Sequence, residues 1–268
     1  IEPLEQQFKT SNGFLSFGTE TSTLKTFIAF NDNLAMQPVS YRKISNQNLH
    51  GSAVPEFLVI TYPVFLDQAR RLAEFRLSEN GMKVNVVSVN QIYNEFSSGA
   101  QDVSAIRDYI KYLWIKGNMT GLKYVLLFGK SSFDYKSHLK QNTNFVPIYQ
   151  SRNSLHPVFS YASDDYYTFL EDGEGYWDES SQGDETMDVA IGRIPVVSVT
   201  EADDIVNKIT NYETGENRFG DWRSRICFVA DDGDGVDGVI HSRDADLLAA
   251  YVDTSFTDYS IKKNILNP

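Results

Sequence analysis

From Glu56 onward the chain alternates short apolar runs with longer segments of helical period, and this alternation constrains the fold more than any other feature. "EFLVITY" is a compact apolar run of strand length. "VFLDQARRLAEFRLSENG" follows with apolar residues at helical spacing and stops at Asn80-Gly81, as a helix C-terminus does. "KVNVVSV" predicts a second strand, "DVSAIRDYIKYLWIKG" a second helix capped by Asp102, and "KYVLLFG" a third strand. Strands separated by helices imply a parallel sheet covered on both faces. A long loop spans 130–160, after which "YASDDYYTFL" reads as a further strand. "EDGEGYWDESSQGDE" is a glycine-rich acidic excursion unsuited to a core. "MDVAIGRIPV" then predicts a strand, and "TEADDIVNKITNYETG" a helix capped by Thr200, with Glu201, Asp203 and Asp204 near its positive end. "RICFVADD" reads as a buried strand and "SRDADLLAAYV" as the helix after it. The order is β-α-β-α-β, an insertion, then β-α-β-α.

Residues 1–53 differ: they are polar, with short alternating runs such as "GFLSFGT" and "TFIAFNDN" that fit edge strands, the end of a β-rich region. With 41% hydrophobic residues in 268, the chain can bury a sizeable core. Its net charge of -12, without clustered Lys and Arg, argues against a nucleic-acid partner. No apolar run approaches the roughly 18 residues of a membrane span, and "IEPLEQQFKT" lacks the regions of a signal peptide, which could have been removed or lain upstream. One cysteine allows no internal disulfide and leaves the redox compartment open. The end, "SIKKNILNP", stops abruptly and reads as the edge of a fragment.

Several motifs invite chemistry. "FGKSS" resembles the end of a phosphate loop, but that loop needs a glycine five residues before Gly129, where Tyr124 stands. "DDGDGVDG" suggests a calcium loop; counted from Asp232, Asp234 fits, but Val236 occupies the third ligand position. The alternative is a turn in which Gly233, Gly235 and Gly238 supply unusual backbone angles. No metal or other cofactor is expected, with calcium the one candidate. Ser132, Ser151 and Ser163 share loop positions with His138 and His156, and no nucleophile elbow singles out one serine.

Cys227 and His241 form the tempting pair. In an open parallel sheet, chemistry sits beyond the carboxyl ends of the strands. Cys227 lies four residues before Asp231, roughly 13 Å from that edge at about 3.3 Å per residue. It therefore reads as a small buried apolar residue. Asp231, Asp232 and His241 fall at the carboxyl end or at the start of the next helix, without a nucleophile beside them.

"SNQNLHG" (45–51), "QIYNEFSSGAQD" (91–102), "YVLLFGKSSFDY" (124–135), "YASDDYYTFLED" (161–172), "IGRIPV" (191–196) and "DWRSRICFVADDGD" (221–234) together resemble the gingipain family of cysteine peptidases. Within it, the PorU-like branch of type IX secretion system sortases is most similar. The resemblance runs from about residue 45 to the end. Each motif is weak alone; their order is what is specific.

The resemblance implies an α/β fold, a caspase-like three-layer α/β/α arrangement with a mostly parallel sheet, after a short β-rich N-terminal segment. Residues 1–53 would end a β-rich region, 54–219 form the first subdomain, and 220–268 open the second, catalytic one. It implies a Cys-His dyad whose acyl-enzyme is released to water or to an amine. Both dyad residues are expected beyond this chain, leaving the fragment inactive. Asp232 matches the acidic residue beside the catalytic histidine. His241 falls near the substrate pocket, where arginine-specific members keep an aspartate, and a histidine there argues against arginine specificity. Lys130 departs from the acidic residue of PorU-like sequences. The implied protein is exported to the cell surface and outer membrane, with no membrane-spanning segment. Its expected partners are secreted cargo with C-terminal sorting domains and secretion-system components. The alternative is a non-catalytic cargo-binding or structural module on the same fold; a calcium-stabilised surface domain is a third reading.

Overall fold

The computed structural model describes residues 8–20, 22–28, 31, 33, 43–140, 142–151, 156, 160–175, 186–231 and 238–265. The chain divides into two compact units, Ile1–Asn46 and Gln47–Pro268. In the first unit, β1 (Lys9–Ser11) and β2 (Phe14–Ser16) pair antiparallel, with Ser11 opposite Phe14. Their two-residue turn has Asn12 at φ 50° and Gly13 at φ 79°, the double positive twist that suits a tight hairpin. "TFIAFNDN" does not continue as a strand: Thr26, Phe27 and Ile28 are irregular, and among the described residues no second strand is there to pair with them.

The second unit is built around β3 (Phe57–Thr61), β4 (Val84–Ser88), β5 (Tyr124–Phe128) and β8 (Ala190–Ile194). They lie in the order β4-β3-β5-β8, all parallel, with Phe57 opposite both Val84 and Tyr124. Alternate residues serve opposite faces. Val59 and Phe128 meet α1 (Leu66–Asn80) and α4 (Val199–Thr214) through Ala69, Leu72, Ala202 and Val206. Leu58, Ile60 and Leu127 meet α2 (Val89–Phe96) and α3 (Val103–Lys116). These are the three layers expected from the sequence. On α3 the buried residues Ala105, Ile106, Tyr109, Ile110, Leu113 and Trp114 form one stripe at helical spacing. Each large side chain among them stabilises the fold by about 1.5–3 kcal/mol.

The helix ends follow side-chain chemistry. Gly81 ends α1 at φ 67° and donates to Leu77 O at 3.0 Å. Asp102 caps α3 by accepting from Ser104 N. Helix α4 is capped by Ser198, not by Thr200: Ser198 is extended, its Oγ accepts from Glu201 N at 3.1 Å, and Glu201 reaches back to Val197 N. The same chemistry makes α2, which hydrophobic periodicity did not reveal, because Ser88 and Gln91 form a reciprocal capping box directly after β4.

"YASDDYYTFL" is also not a full strand. β6 (Tyr149–Gln150) and β7 (Ala162–Ser163) pair antiparallel as a two-residue ribbon, and Asp165–Thr168 turns into a 3-10 helix. Ser163 Oγ accepts from Asp165 N at 3.1 Å, a local bond that takes the place of a ladder, and Tyr167 Oη donates at 2.8 Å to the distant Pro147 O.

A separate parallel pair, β9 (Arg225–Ala230) and β10 (Ser260–Ile265), is joined by α5 (Ile240–Ser255). Lys263 bonds Asp246 of α5 at 2.8 Å, which places the helix over the face shared by Ile226, Phe228 and Ala230. Those three residues are half-buried, whereas Arg225, Cys227 and Val229 on the other face are exposed, Val229 by 75%.

Candidate functional site

From β3 the chain runs through α1 to β4 on one side, and from β4 it crosses back by way of α2 and α3 to β5 on the other side of β3. The crevice between the carboxyl ends of β3 and β5 is therefore where an open α/β sheet binds ligands. Here that crevice is filled by the chain itself. Gly129 has φ 146°, and a Cβ on it would lie 3.2 Å from both Phe145 Cβ and Val146 Cγ2. Phe145 N and Val146 N both donate to Lys130 O, at 2.9 and 3.3 Å. The Phe145 ring packs 5.1 Å from the rings of Tyr62 and Phe65. "FGKSS" is thus a strand-to-loop turn with its backbone sealed.

Arg193, on β8, ties these segments together. Its Nη1 donates to Gly129 O at 2.8 Å and Val146 O at 2.7 Å, and Nη2 to Pro147 O at 3.1 Å. Nε and Nη2 meet both carboxylate oxygens of Asp164, at 2.8 and 2.7 Å. All five N–H groups of the guanidinium are used. A planar five-donor fork suits a junction of three chain segments as a lysine cannot.

The loop serines serve backbone geometry. Ser132, Ser151 and Ser163 Oγ accept from Asp134 N, Tyr161 N and Asp165 N, each at 3.1 Å. Asp134 is buried and accepts from Leu139 N at 2.7 Å, while His138 Nδ1 lies 3.3 Å from its Oδ1. The Leu139 bond, helped by His138, holds the Asp134 carboxyl below its ordinary range.

A second cluster went unflagged in the sequence. Glu95 on α2 accepts from Leu49 N (2.7 Å), Gln47 Nε2 (2.9 Å) and His50 N (3.3 Å), and lies 2.7 Å from His50 Nδ1. Burial raises the Glu95 carboxyl, but these bonds outweigh it and bring it down to about 2. From α3, Tyr112 Oη and Lys116 Nζ donate to His50 O at 2.6 and 2.7 Å. The only signal was a polar run, "SNQNLHG", with no apolar period of its own.

Of the two sequence-derived site residues, His241 is described and lies in the β9–α5–β10 unit. His241 is the second residue of α5, exposed, at the end of the helix that follows the carboxyl edge of β9. It makes no hydrogen bond or ion pair among the described residues. Asp232, and with it the calcium-like "DDGDGVDG" up to Asp237, lies outside the described residues, as does 176–185 of the acidic excursion. Among the described residues no group of three or more His, Cys, Asp or Glu can hold a metal ion.

Cys227 corrects the expectation of a buried residue: it is exposed. The strand alternates, and Cys227 falls on the face opposite α5, beside Asn264, whose Nδ2 donates to Sγ at 3.6 Å. It opposes Lys262 in the register, three residues before the carboxyl end of β9, so its distance from that edge stands. At the other end of the first sheet, an apolar groove lined by Phe57, Met82, Tyr124 and Gly192 sits on the amino edge, away from the chemistry of such folds.

A family model described as Peptidase family C25 matches residues 50–268, most of the chain. The chain belongs to Peptidase family C25. Two solved structures resemble this C25 chain. The dimeric latent PorU from Porphyromonas gingivalis is 32% identical with a TM-score of 0.56, over 67% of this chain and 17% of that one. The Arg-specific cysteine proteinase gingipain R has a TM-score of 0.57 over 83% of this chain and 44% of that one. At 16% identity, gingipain R shows the shared fold alone. No curated protein sequence matches significantly. The C25 chain thus corresponds to less than half the length of either structure and carries a cysteine-peptidase-type α/β module.

Proposed function

We propose that this chain is the non-nucleophilic part of a PorU-like cysteine peptidase and transpeptidase, inactive by itself. The observation that carries the reading is the family match over residues 50–268 joined to 32% identity with PorU. The geometry supports it in two ways. The carboxyl-edge crevice of the first sheet is closed by Phe145 and Val146, so that sheet acts as scaffold. The lone thiol, Cys227, stands exposed away from the carboxyl edge, so it is not the nucleophile.

In this reading a thiolate from a part of the protein outside this chain attacks a peptide carbonyl, forming the thioester and expelling the amine with a proton delivered by histidine. Water or a second amine then attacks the thioester and regenerates the thiol. Asp232 orients that histidine, and His241 lines the pocket for the substrate side chain. The substrates are secreted proteins bearing C-terminal sorting domains, processed at the cell surface beside secretion-system components. No cofactor takes part in the chemistry, and calcium, if bound, is structural.

The test is kinetic, on the full-length protein. Asp232→Ala lowers kcat/KM by about 10²- to 10⁴-fold, as loss of acid-base function does. His241→Ala acts chiefly on KM, and Cys227→Ala leaves activity unchanged. Full activity in Asp232→Ala, or loss in Cys227→Ala, overturns the assignment. Cargo binding without turnover by the full-length protein favours the non-catalytic module instead.

A further inference from the structure

The loop Lys130 to Lys140, "KSSFDYKSHLK", inverts the character of the chain. The protein has 36 acidic against 24 basic side chains, yet this stretch holds three lysines and a histidine against one carboxylate. That carboxylate, Asp134, is buried and committed to the loop's own backbone at Leu139 N. Among the described residues Lys130, Lys136 and Lys140 form no ion pair; Lys136 Nζ sits 5.6 Å from the centre of the Tyr135 ring. Between the lysines, Phe133, Tyr135 and Leu139 are 74%, 56% and 55% exposed.

The loop is held in shape. Gln150 Nε2 donates to Phe133 O at 3.0 Å, Gln101 Nε2 to Tyr135 O at 3.1 Å, and Asn142 Nδ2 to Asp134 O. The nearby Asp102 is occupied with its cap on Ser104 N at 2.7 Å. A backbone held in this way presents aromatic groups interleaved with lysines that form no ion pair among the described residues, a surface at the carboxyl edge of the first sheet whose main chain needs little further ordering on binding.

We propose that Lys130, Phe133, Tyr135, Lys136, Leu139 and Lys140 form a docking surface for an acidic stretch of another polypeptide with aliphatic side chains. Charge complementarity selects the occupant. An anionic membrane or a nucleic acid is an extended polyanion that meets the whole field of a chain with net charge -12. A short acidic segment meets the loop alone. The surface does not depend on the peptidase reading, since docking requires no turnover.

The experiment measures binding of a fluorescein-labelled twelve-residue peptide of alternating Glu and Leu to this chain by anisotropy, at low salt. Saturable binding is expected, weakened about tenfold by the triple change Lys130→Gln, Lys136→Gln, Lys140→Gln and several-fold by Phe133→Ala. The control pair Lys43→Gln, Lys208→Gln leaves it unchanged, and circular dichroism verifies that each variant is folded. Absent binding, binding indifferent to the loop changes, or equal retention on phosphatidylglycerol vesicles overturns the proposal.

Discussion

The carboxylate of Asp164 meets the guanidinium of Arg193 edge to edge, Oδ2 to Nε at 2.8 Å and Oδ1 to Nη2 at 2.7 Å. Both side chains are largely buried, 11% and 19% exposed for Arg193 and Asp164, and the three carbonyls of Gly129, Val146 and Pro147 take the remaining donors. Removing one partner strands the other, largely buried, without its counter-charge, and breaking a buried pair costs up to about 3–5 kcal/mol. Arg193→Met should therefore lower the urea midpoint markedly, and Arg193→Lys should recover only part of it. Hydrogen exchange should quicken first at 145–150 and 162–163, since those segments converge on Arg193. Unchanged exchange there would show that the junction holds without it.

Glu95 makes part of the stability depend on acid. Its carboxyl, at about 2 in the fold, is depressed from an ordinary value of 4.5. A depressed acid contributes its full stabilisation above the unfolded value and loses it as pH falls from about 4.5 towards 2. The melting temperature should decline through that window, and Glu95→Gln should flatten the decline while costing about 2 kcal/mol at neutral pH, as loss of a charged hydrogen-bond acceptor does. Thermal scans from pH 2 to 7 on both proteins decide it; parallel curves would place the acid sensitivity elsewhere.

Gly129 tests the closed crevice. Alanine there meets two obstacles, a φ of 146° and contacts of 3.2 Å with Phe145 and Val146. The expected cost is about 1–3 kcal/mol, and Phe145→Ala should relieve part of it in the double variant by vacating the contact. Strict additivity in a double-mutant cycle would mean that Phe145 does not press on this backbone.

These three positions also show what sequence reading could reach. Strands β3, β4, β5, β8 and β9 and helices α1, α3, α4 and α5 were legible because compact apolar runs, or apolar residues at a period of 3.6, occur wherever an element faces a core. Helix α2 and the Thr200 cap were misjudged because a capping box depends on one hydroxyl and one partner three residues on, not on hydrophobic pattern. The Arg193 junction had no signature, since three of its five acceptors are backbone carbonyls brought together from distant segments. For the site, the sequence located the β9 edge and the start of α5, and His241 lies at that start. It misjudged Cys227, because an apolar run says that a strand packs against something but not which face does so.

Cys227 gives the last test. Its exposure rests on the alternation in β9, where Ile226, Phe228 and Ala230 face α5 and Cys227 faces away. A thiol so placed should react with an aromatic disulfide reagent in the folded protein at pH 8, one per chain and without denaturant, because access limits reaction of native thiols. Substituting it should cost little: Cys227→Ser should change stability by less than about 0.5 kcal/mol, the range of surface changes. A buried cysteine would behave oppositely in both measurements, reacting only after unfolding and losing about 1–3 kcal/mol when a hydroxyl is forced into an apolar site. Reaction that waits for denaturant would show that the face of β9 turned away from α5 is covered in solution.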